Sequence, residues 1–433
     1  MPRQKVILIN VPKPWLHEPK QQFPLGILYV AAVLEEKHDV EILDLADLTL
    51  EEIYDNAEGW LNHCYYTDYI GFSVTYPEYY FAERIGQHIK FINPNIKLIL
   101  GGVHPTVAPD MVDHKLFDII VLGEAEELFR MTKIDNLNGI VKTPSIDNLN
   151  IYPLPARHLL DRKSFISDTV FHHGISLKDG GGTAVMLSRG CPFGCTFCVS
   201  PINMGKDVRY YNTLRVSEEL TQIIDIYGVQ QFRFQDDNFT LLPSKILSIL
   251  DILPLNIVWR CSTSVKLLNP PLLEHMYNAG CREIGIGIES ADCSVLNKFN
   301  KLVDLSFARK AIRWIKDSGI WVRLFFMIGT PGETEHTVDL NIDFIEETQP
   351  DLVTFSLFAP YPGTSIWNSP EEYGIQILSK NPLDYLMNLS PDISIENTPN
   401  VLPVNVSYDT MVKNIRRTRE YIFHKQDLGN RGL

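Results

Sequence analysis

Ser188-Arg189-Gly190-Cys191-Pro192-Phe193-Gly194-Cys195-Thr196-Phe197-Cys198 follows directly on a short apolar run, Ala184-Val185-Met186-Leu187. The cysteine spacing is C-x3-C-x2-C. Three thiolates on one tight loop match three irons of a [4Fe–4S] cluster. With no fourth cysteine nearby, one iron is left open to a small ligand. Four thiolates would suit a closed electron-transfer or zinc site. Gly190, Pro192 and Gly194 fit a loop that wraps closely round an inorganic core. The rival readings are ordinary buried thiols and a zinc site. For zinc, no neighbouring His or Cys completes a tetrahedral set. His172 and His173 stand before Gly180-Gly181-Gly182, where paired loop histidines are ordinarily solvated.

The whole chain narrows the class. Its 433 residues allow two or three domains, and 45% apolar content supports sizeable cores. No apolar run reaches the length of a membrane span. Near the start, Arg3 and Lys5 precede only Val6-Ile7-Leu8-Ile9, which reads as a buried strand and not as a secretory signal. A cytoplasmic location is therefore expected. Seven cysteines, an odd number with one tight cluster, argue against a disulfide scaffold. Cys64, Cys261, Cys281 and Cys293 read as small buried apolar residues. A formal net charge of −14 disfavours non-specific nucleic-acid binding.

Residues 1–130 alternate strand and helix signals. Apolar runs at 5–10, 40–45, 69–75, 97–100 and 117–122 are separated by helical patterns, one at 25–36 and one through Ala82, Ile85 and Ile89. Such continuous runs predict a doubly wound, Rossmann-like parallel sheet covered on both faces, with its ligand at the carboxyl ends of the strands. The ligand-facing turns are then Ser73-Val74-Thr75, Gly101-Gly102-Val103-His104 and Gly123-Glu124. Glycines there also end strands for purely structural reasons, but three turns at one edge favour a ligand. His104, before Pro105, reads as a loop residue satisfied by backbone. Residues 131–183, with Asn136, Asn138, Asn148, Asn150, Pro153 and Pro155, read as a linker.

Alternation resumes at Ala184, with strands expected at 184–188, 231–235, 257–263, 283–289, 321–328 and 352–358. One intervening helix carries Val216, Leu220 and Ile223 on a face and ends at Gly228; another ends at Gly319. Six β/α units predict a partial (β/α)6 barrel over residues 184–367, with chemistry on the loops after its strands. The cysteine loop stands after the first strand. Asp236-Asp237-Asn238 closes the second, Gly285-Ile286-Gly287-Ile288-Glu289-Ser290 forms the fourth, and Gly329-Thr330-Pro331-Gly332-Glu333 closes the fifth. Each is also a reasonable turn or helix cap; their common position favours one mouth. Residues 368–433 read as a small helical extension, with Met411, Ile415 and Ile422 at helical spacing.

The barrel half resembles the radical S-adenosylmethionine (SAM) enzymes, on the cysteine motif, on Gly285–Ser290 and on Gly329–Glu333. Residues 1–130 resemble the cobalamin-binding domain that precedes that barrel in one subgroup, on Pro24-Leu25-Gly26, Asp44, Ser73–Thr75, Gly101–Pro105 and Gly123–Glu126. The resemblance implies that Cys191, Cys195 and Cys198 hold the [4Fe–4S] cluster, with Phe197 beside them. It implies that Asp236, Asp237 and Asn238 meet the methionine end of SAM, and Glu289 and Pro331 its ribose or adenine. Ser73, Thr75, Gly101, Gly102, Gly123 and Glu124 would give cobalamin room for its nucleotide tail. Reductive cleavage of SAM, hydrogen abstraction from an unactivated carbon and methylation of that carbon are then expected. The substrate would be a small molecule or peptide, and the electron donor a flavodoxin or ferredoxin. A radical enzyme that is cobalamin-independent or does not methylate, closing a ring or rearranging its substrate with cobalamin in another role or absent, is the alternative, and a non-catalytic iron–sulfur or cobalamin-binding protein the rival from another class. A second cluster is not expected, because the first half has only Cys64. Two departures stand out. No D-x-H-x-x-G segment offers cobalt an imidazole, and Ser264 stands where relatives commonly carry arginine.

Overall fold

The computed structural model describes residues 3–16, 19, 22–55, 66–166, 181–254, 256–385 and 398–430. Cys64, His172, His173 and Gly180 lie outside them.

The first sheet has six parallel strands: β1 (Lys5–Asn10), β2 (Asp39–Asp44), β3 (Tyr69–Ser73), β4 (Lys97–Gly101), β5 (Ile119–Leu122) and β6 (Gly139–Lys142). Their order is β2-β1-β3-β4-β5-β6. Helix α1 (Leu25–Leu34) returns the chain from β1 to β2, and α2 (Tyr76–Ile92) from β3 to β4. The order reverses between β1 and β3, the switch point at which doubly wound sheets bind ligands. β1 is buried almost throughout, as the run of aliphatic residues requires of a strand covered on both faces. Thr75 and Glu78 start α2 with a reciprocal capping box, and Pro77 stands in its first turn. β6 comes from the stretch read as linker. Its residues Gly-Ile-Val-Lys are mostly exposed on the sheet edge, so no hydrophobic period announced them.

The second sheet holds β7 (Gly182–Val185), β10 (Gln231–Phe234), β11 (Val258–Thr263), β12 (Cys281–Glu289), β13 (Trp321–Ile328) and β14 (Leu352–Leu357). It runs β14-β13-β12-β11-β10-β7, and its paired registers are parallel, giving the partial (β/α)6 barrel. A small antiparallel ladder of β8 (Ser188–Arg189) and β9 (Arg209–Tyr210) stands beside the cysteine motif. In β13 every second residue is fully buried, Val322, Leu324, Phe326 and Ile328, and the residues between are half-buried. One strand face thus packs under helices and the other faces the barrel interior. Helix α3 (Thr213–Tyr227) ends at Gly228 with φ +68°, a left-handed cap that glycine adopts without strain.

By contacts the chain divides into two compact units, Met1–Pro192 with Val199–Gln235, and Phe193–Cys198 with Asp236–Leu433. The second also contains a two-stranded ladder of β15 (Ile375–Ile377) and β16 (Val401–Pro403) and a final helix, α4 (Tyr408–Asn430).

Candidate functional site

In the first unit the strand ends enclose a cavity of about 340 Å³. Asn10 and Lys13 reach it from the end of β1, Ser73 and Thr75 from β3, Gly101 and Gly102 from β4, and Gly123 and Glu124 from β5. All six residues expected from the sequence to face a ligand there are therefore gathered on one cavity. α1 closes a side with Leu25, Gly26 and Tyr29. None of the described lining residues is a histidine. His104 does not lie in a loop satisfied by backbone, as its place before Pro105 suggested. It lies in the first turn of a short helix (Val103–Val107), is 1% exposed and packs against the rings of Tyr76 and Tyr79, at 5.1 and 4.8 Å. Burial lowers its pKa to about 4, so the imidazole is neutral.

Glu124 lines the cavity, but both its oxygens are engaged. Arg189 donates to one at 3.1 Å; Arg209 and the Ile146 amide donate to the other, the amide at 3.0 Å. Burial raises the Glu124 pKa, but these donors outweigh it and hold the carboxyl below its ordinary range. Arg189 also meets Glu126 at 2.7 Å, and its guanidinium stacks 4.8 Å from the Tyr29 ring. This buried network ties the turn after β5 to the β8–β9 ladder, two residues ahead of Cys191. Sequence reading missed it, because only the fold brings Glu124 and Arg189 together.

The cysteine motif divides between the units: Cys191 counts with the first, Cys195 and Cys198 with the second. In the first, the Cys191 amide donates to Gly205 at 3.1 Å. Gly190 has φ +102°, and a Cβ there would stand 2.5 Å from the Asp207 carbonyl oxygen, so only glycine fits. In the second, residues 298–301 hold the loop. The Thr196 amide donates to Phe299 at 3.0 Å, its hydroxyl to Lys298 at 3.0 Å, and the Asn300 side chain donates to Gly194 at 2.9 Å. The Phe197 ring packs 4.6 Å from Phe299. None of the described cysteines is in a disulfide. No three described His, Cys, Asp or Glu side chains are gathered as ligands of a single ion. A cluster asks for something different, three sulfurs each on its own iron, and this short, tightly held loop fits that demand.

The other expected residues follow the parallel strands of the barrel. Asp236-Asp237-Asn238 comes after β10, and its turn is fixed by the Phe239 amide donating to Ser262 at 3.0 Å and by the Thr240 and Thr263 hydroxyls at 2.7 Å. Glu289 ends β12 at a register shift against β13, and its φ is +68°, so a bulge re-aims it. Its carboxylate pairs with Lys301 at 2.9 Å, whose ammonium lies 5.9 Å from the Phe197 ring. Burial works against the Lys301 charge, but Glu289, Cys195 and Cys198 outweigh it and raise its pKa. Lys301 carried no signal in the sequence. Pro331 sits in a turn held by Glu333, which accepts from the Gly329 and Thr330 amides at 2.6 and 2.9 Å. Burial pushes Glu333 up to about 7 in spite of those donors. Ser264 precedes a single short turn and makes no side-chain capping hydrogen bond to it.

A hydrogen bond to a charged group contributes about 1.5–3 kcal/mol. If Glu289 meets the ribose or adenine of SAM, as the resemblance implies, Glu289→Ala is therefore expected to weaken SAM binding about tenfold or more, with Glu289→Gln intermediate. Equilibrium dialysis of the cluster-loaded protein measures it; equal affinity in all three proteins would remove Glu289 from the SAM site.

Two family models match the chain: the radical SAM superfamily over residues 185–345 and the B12 binding domain over residues 19–131. An uncharacterized methyltransferase of Pyrococcus horikoshii is 31% identical over 378 residues, 81% of this chain and 78% of the relative. Bacteriochlorophyllide d C-12(1)-methyltransferase of Chlorobaculum tepidum is 26% identical over 346 residues, 79% of this chain and 72% of the relative. Among solved structures, the radical SAM methyltransferase TsrM of Kitasatospora setae, with cobalamin and a [4Fe–4S] cluster bound, superposes with a TM-score of 0.66. That alignment covers 89% of this chain and 81% of that one at 17% identity, a likeness of fold.

Proposed function

The chain belongs to the radical SAM superfamily and carries a B12 binding domain ahead of its barrel, and on that premise we propose that it methylates an unactivated carbon of a small-molecule or peptide substrate. The observation that carries this reading is the pairing of a C-x3-C-x2-C loop with a strand-end cavity lined by all six residues expected to face cobalamin. Cys191, Cys195 and Cys198 would hold the [4Fe–4S] cluster. Asp236, Asp237, Asn238, Glu289 and Pro331 would hold SAM. Ser73, Thr75, Gly101, Gly102, Gly123 and Glu124 would surround cobalamin. When bound, these groups supply reductive cleavage of SAM, hydrogen abstraction and methyl carriage. The protein's share is to bind, orient and exclude water. Residues 298–301 hold the second and third cysteines in place, Lys301 fixes the Glu289 carboxylate, and the Glu124–Arg189 network holds the approach to the first cysteine.

No helix among the described residues is long and apolar enough to cross a membrane. We place the enzyme in the cytoplasm, with reduction by a flavodoxin or ferredoxin. The test mixes reduced, cluster-loaded protein with SAM bearing a deuterated methyl group. We expect 5′-deoxyadenosine only when cluster and reductant are both present, and deuterated methyl in the product once the substrate is supplied. Absence of 5′-deoxyadenosine would sink the enzymatic reading. 5′-Deoxyadenosine with an unmethylated, cyclised product would favour the alternative radical outcome.

A further inference from the structure

The cavity wall contains a buried cation that the proposed function leaves without a task. Lys13 follows β1, lines the cavity and is 2% exposed. Its ammonium donates to the Gln22 carbonyl at 3.2 Å. Its nearest described carboxylate oxygen, Glu78 Oε1, stands 3.6 Å away, outside hydrogen-bonding range. Glu78 serves another element with its other oxygen, which accepts from the Thr75 amide at 2.7 Å and the Thr75 hydroxyl at 2.8 Å to cap α2. The ion pair is thus loose on the carboxylate side. A buried ammonium in that setting keeps much of its desolvation cost, and an anion entering the cavity would relieve it.

The other charged groups on the wall are matched. Arg189 answers to Glu124 and Glu126, and Glu124 also pairs with Arg209 behind it. Lys13 is set apart from them, after β1, on the same cavity as Ser73 and Thr75 at the end of β3 and the start of α2, where the strand order reverses. Cobalamin carries one permanent anion outside the corrin, the phosphodiester of its nucleotide tail. The corrin's peripheral amides are neutral.

We propose that Lys13 is the binding residue for the phosphodiester of the cobalamin nucleotide tail, with the Glu78 carboxylate setting its position. This rests on the cobalamin reading above.

The experiment compares aquacobalamin with aquacobinamide, which retains the corrin and lacks the nucleotide tail. Both are titrated by visible absorption into wild-type, Lys13→Met and Lys13→Arg full-length protein. Lys13→Met should weaken cobalamin binding about tenfold or more and change cobinamide binding less than about twofold. Lys13→Arg should keep most of the cobalamin affinity. The double variant Lys13→Met/Glu78→Gln removes the ion pair as a unit and serves if the single variant is poorly folded; it should show the same selective loss. Equal losses for both ligands would make Lys13 a structural residue and overturn the proposal. So would undiminished cobalamin binding in Lys13→Met. Wild-type protein that binds neither ligand would overturn the cobalamin reading and this proposal together.

Discussion

Replacing Cys191, Cys195 or Cys198 with alanine is expected to abolish the [4Fe–4S] absorption of anaerobically reconstituted protein and most of its iron. On the proposed assignment each thiolate would hold a different iron, so the loss of one would leave an incomplete coordination set and not a weaker version of the same site. Cys261 and Cys281 are the controls. Both are fully enclosed in the barrel wall, and burial raises the Cys261 thiol pKa far from the range in which thiolates form. Alanine at either should cost only local packing, about 1–2 kcal/mol, and leave iron content unchanged. Cys293, expected from the sequence to be buried, is exposed at the first position of a helix, and its replacement should be silent in both assays. Iron analysis with optical spectra decides the matter. Cluster loss in a Cys261, Cys281 or Cys293 variant, with retention in a Cys191 variant, would reassign the ligands.

Two adjacent glycines should destroy cobalamin binding by different routes. Gly101 and Gly102 both line the cavity. A Cβ on Gly101 would meet nothing closer than 3.8 Å, ordinary contact, so a longer side chain has room to start and then occupies space meant for a ligand. Gly101→Leu should therefore cut cobalamin affinity by about a hundredfold, with the unfolding midpoint nearly unchanged. Gly102 is different. Gly102 is also one of the residues expected to leave the ligand room, but its backbone conformation matters as much as the space beside it. Its φ is +96°, and a Cβ would stand 2.4 Å from the Val74 amide nitrogen. Val74 is itself locked, its amide donating to Gly101 and its carbonyl accepting from His104. Even Gly102→Ala forces the turn apart, at a cost of about 1–3 kcal/mol for the backbone conformation alone. It should lower the melting temperature as well as binding. Titration by visible absorption beside a thermal melt separates the two. Wild-type affinity in Gly101→Leu would show that cobalamin does not use this cavity.

Much of the architecture was legible in the chain alone, and for a local reason. A continuous aliphatic run such as Val6-Ile7-Leu8-Ile9, too short for a helix of its own, fits a strand covered on both faces, and β1 begins and ends where its sequence says; β13, fully buried on one face and half-buried on the other, also keeps its expected bounds. Gly228 and Gly319 end their helices in the left-handed conformation that the sequence pattern implied, with φ +68° and +77°. The cysteine spacing is chemistry within eight residues and needs no fold to be read. β6 escaped because an exposed edge strand of four residues carries too little periodicity to distinguish it from a linker.

The charged part of the site belongs to the tertiary structure. Arg189 reaches Glu124 across 65 positions of sequence, and Lys13 lies near Glu78 only because β1 and β3 are neighbours in the sheet. Lys301 meets Glu289 through a bulge that turns one side chain round. Periodicity records which face of an element is buried. It holds no record of which charge on another element will be buried against it, and in a low-dielectric interior that pairing decides whether a lysine is a solvated surface group or part of a site.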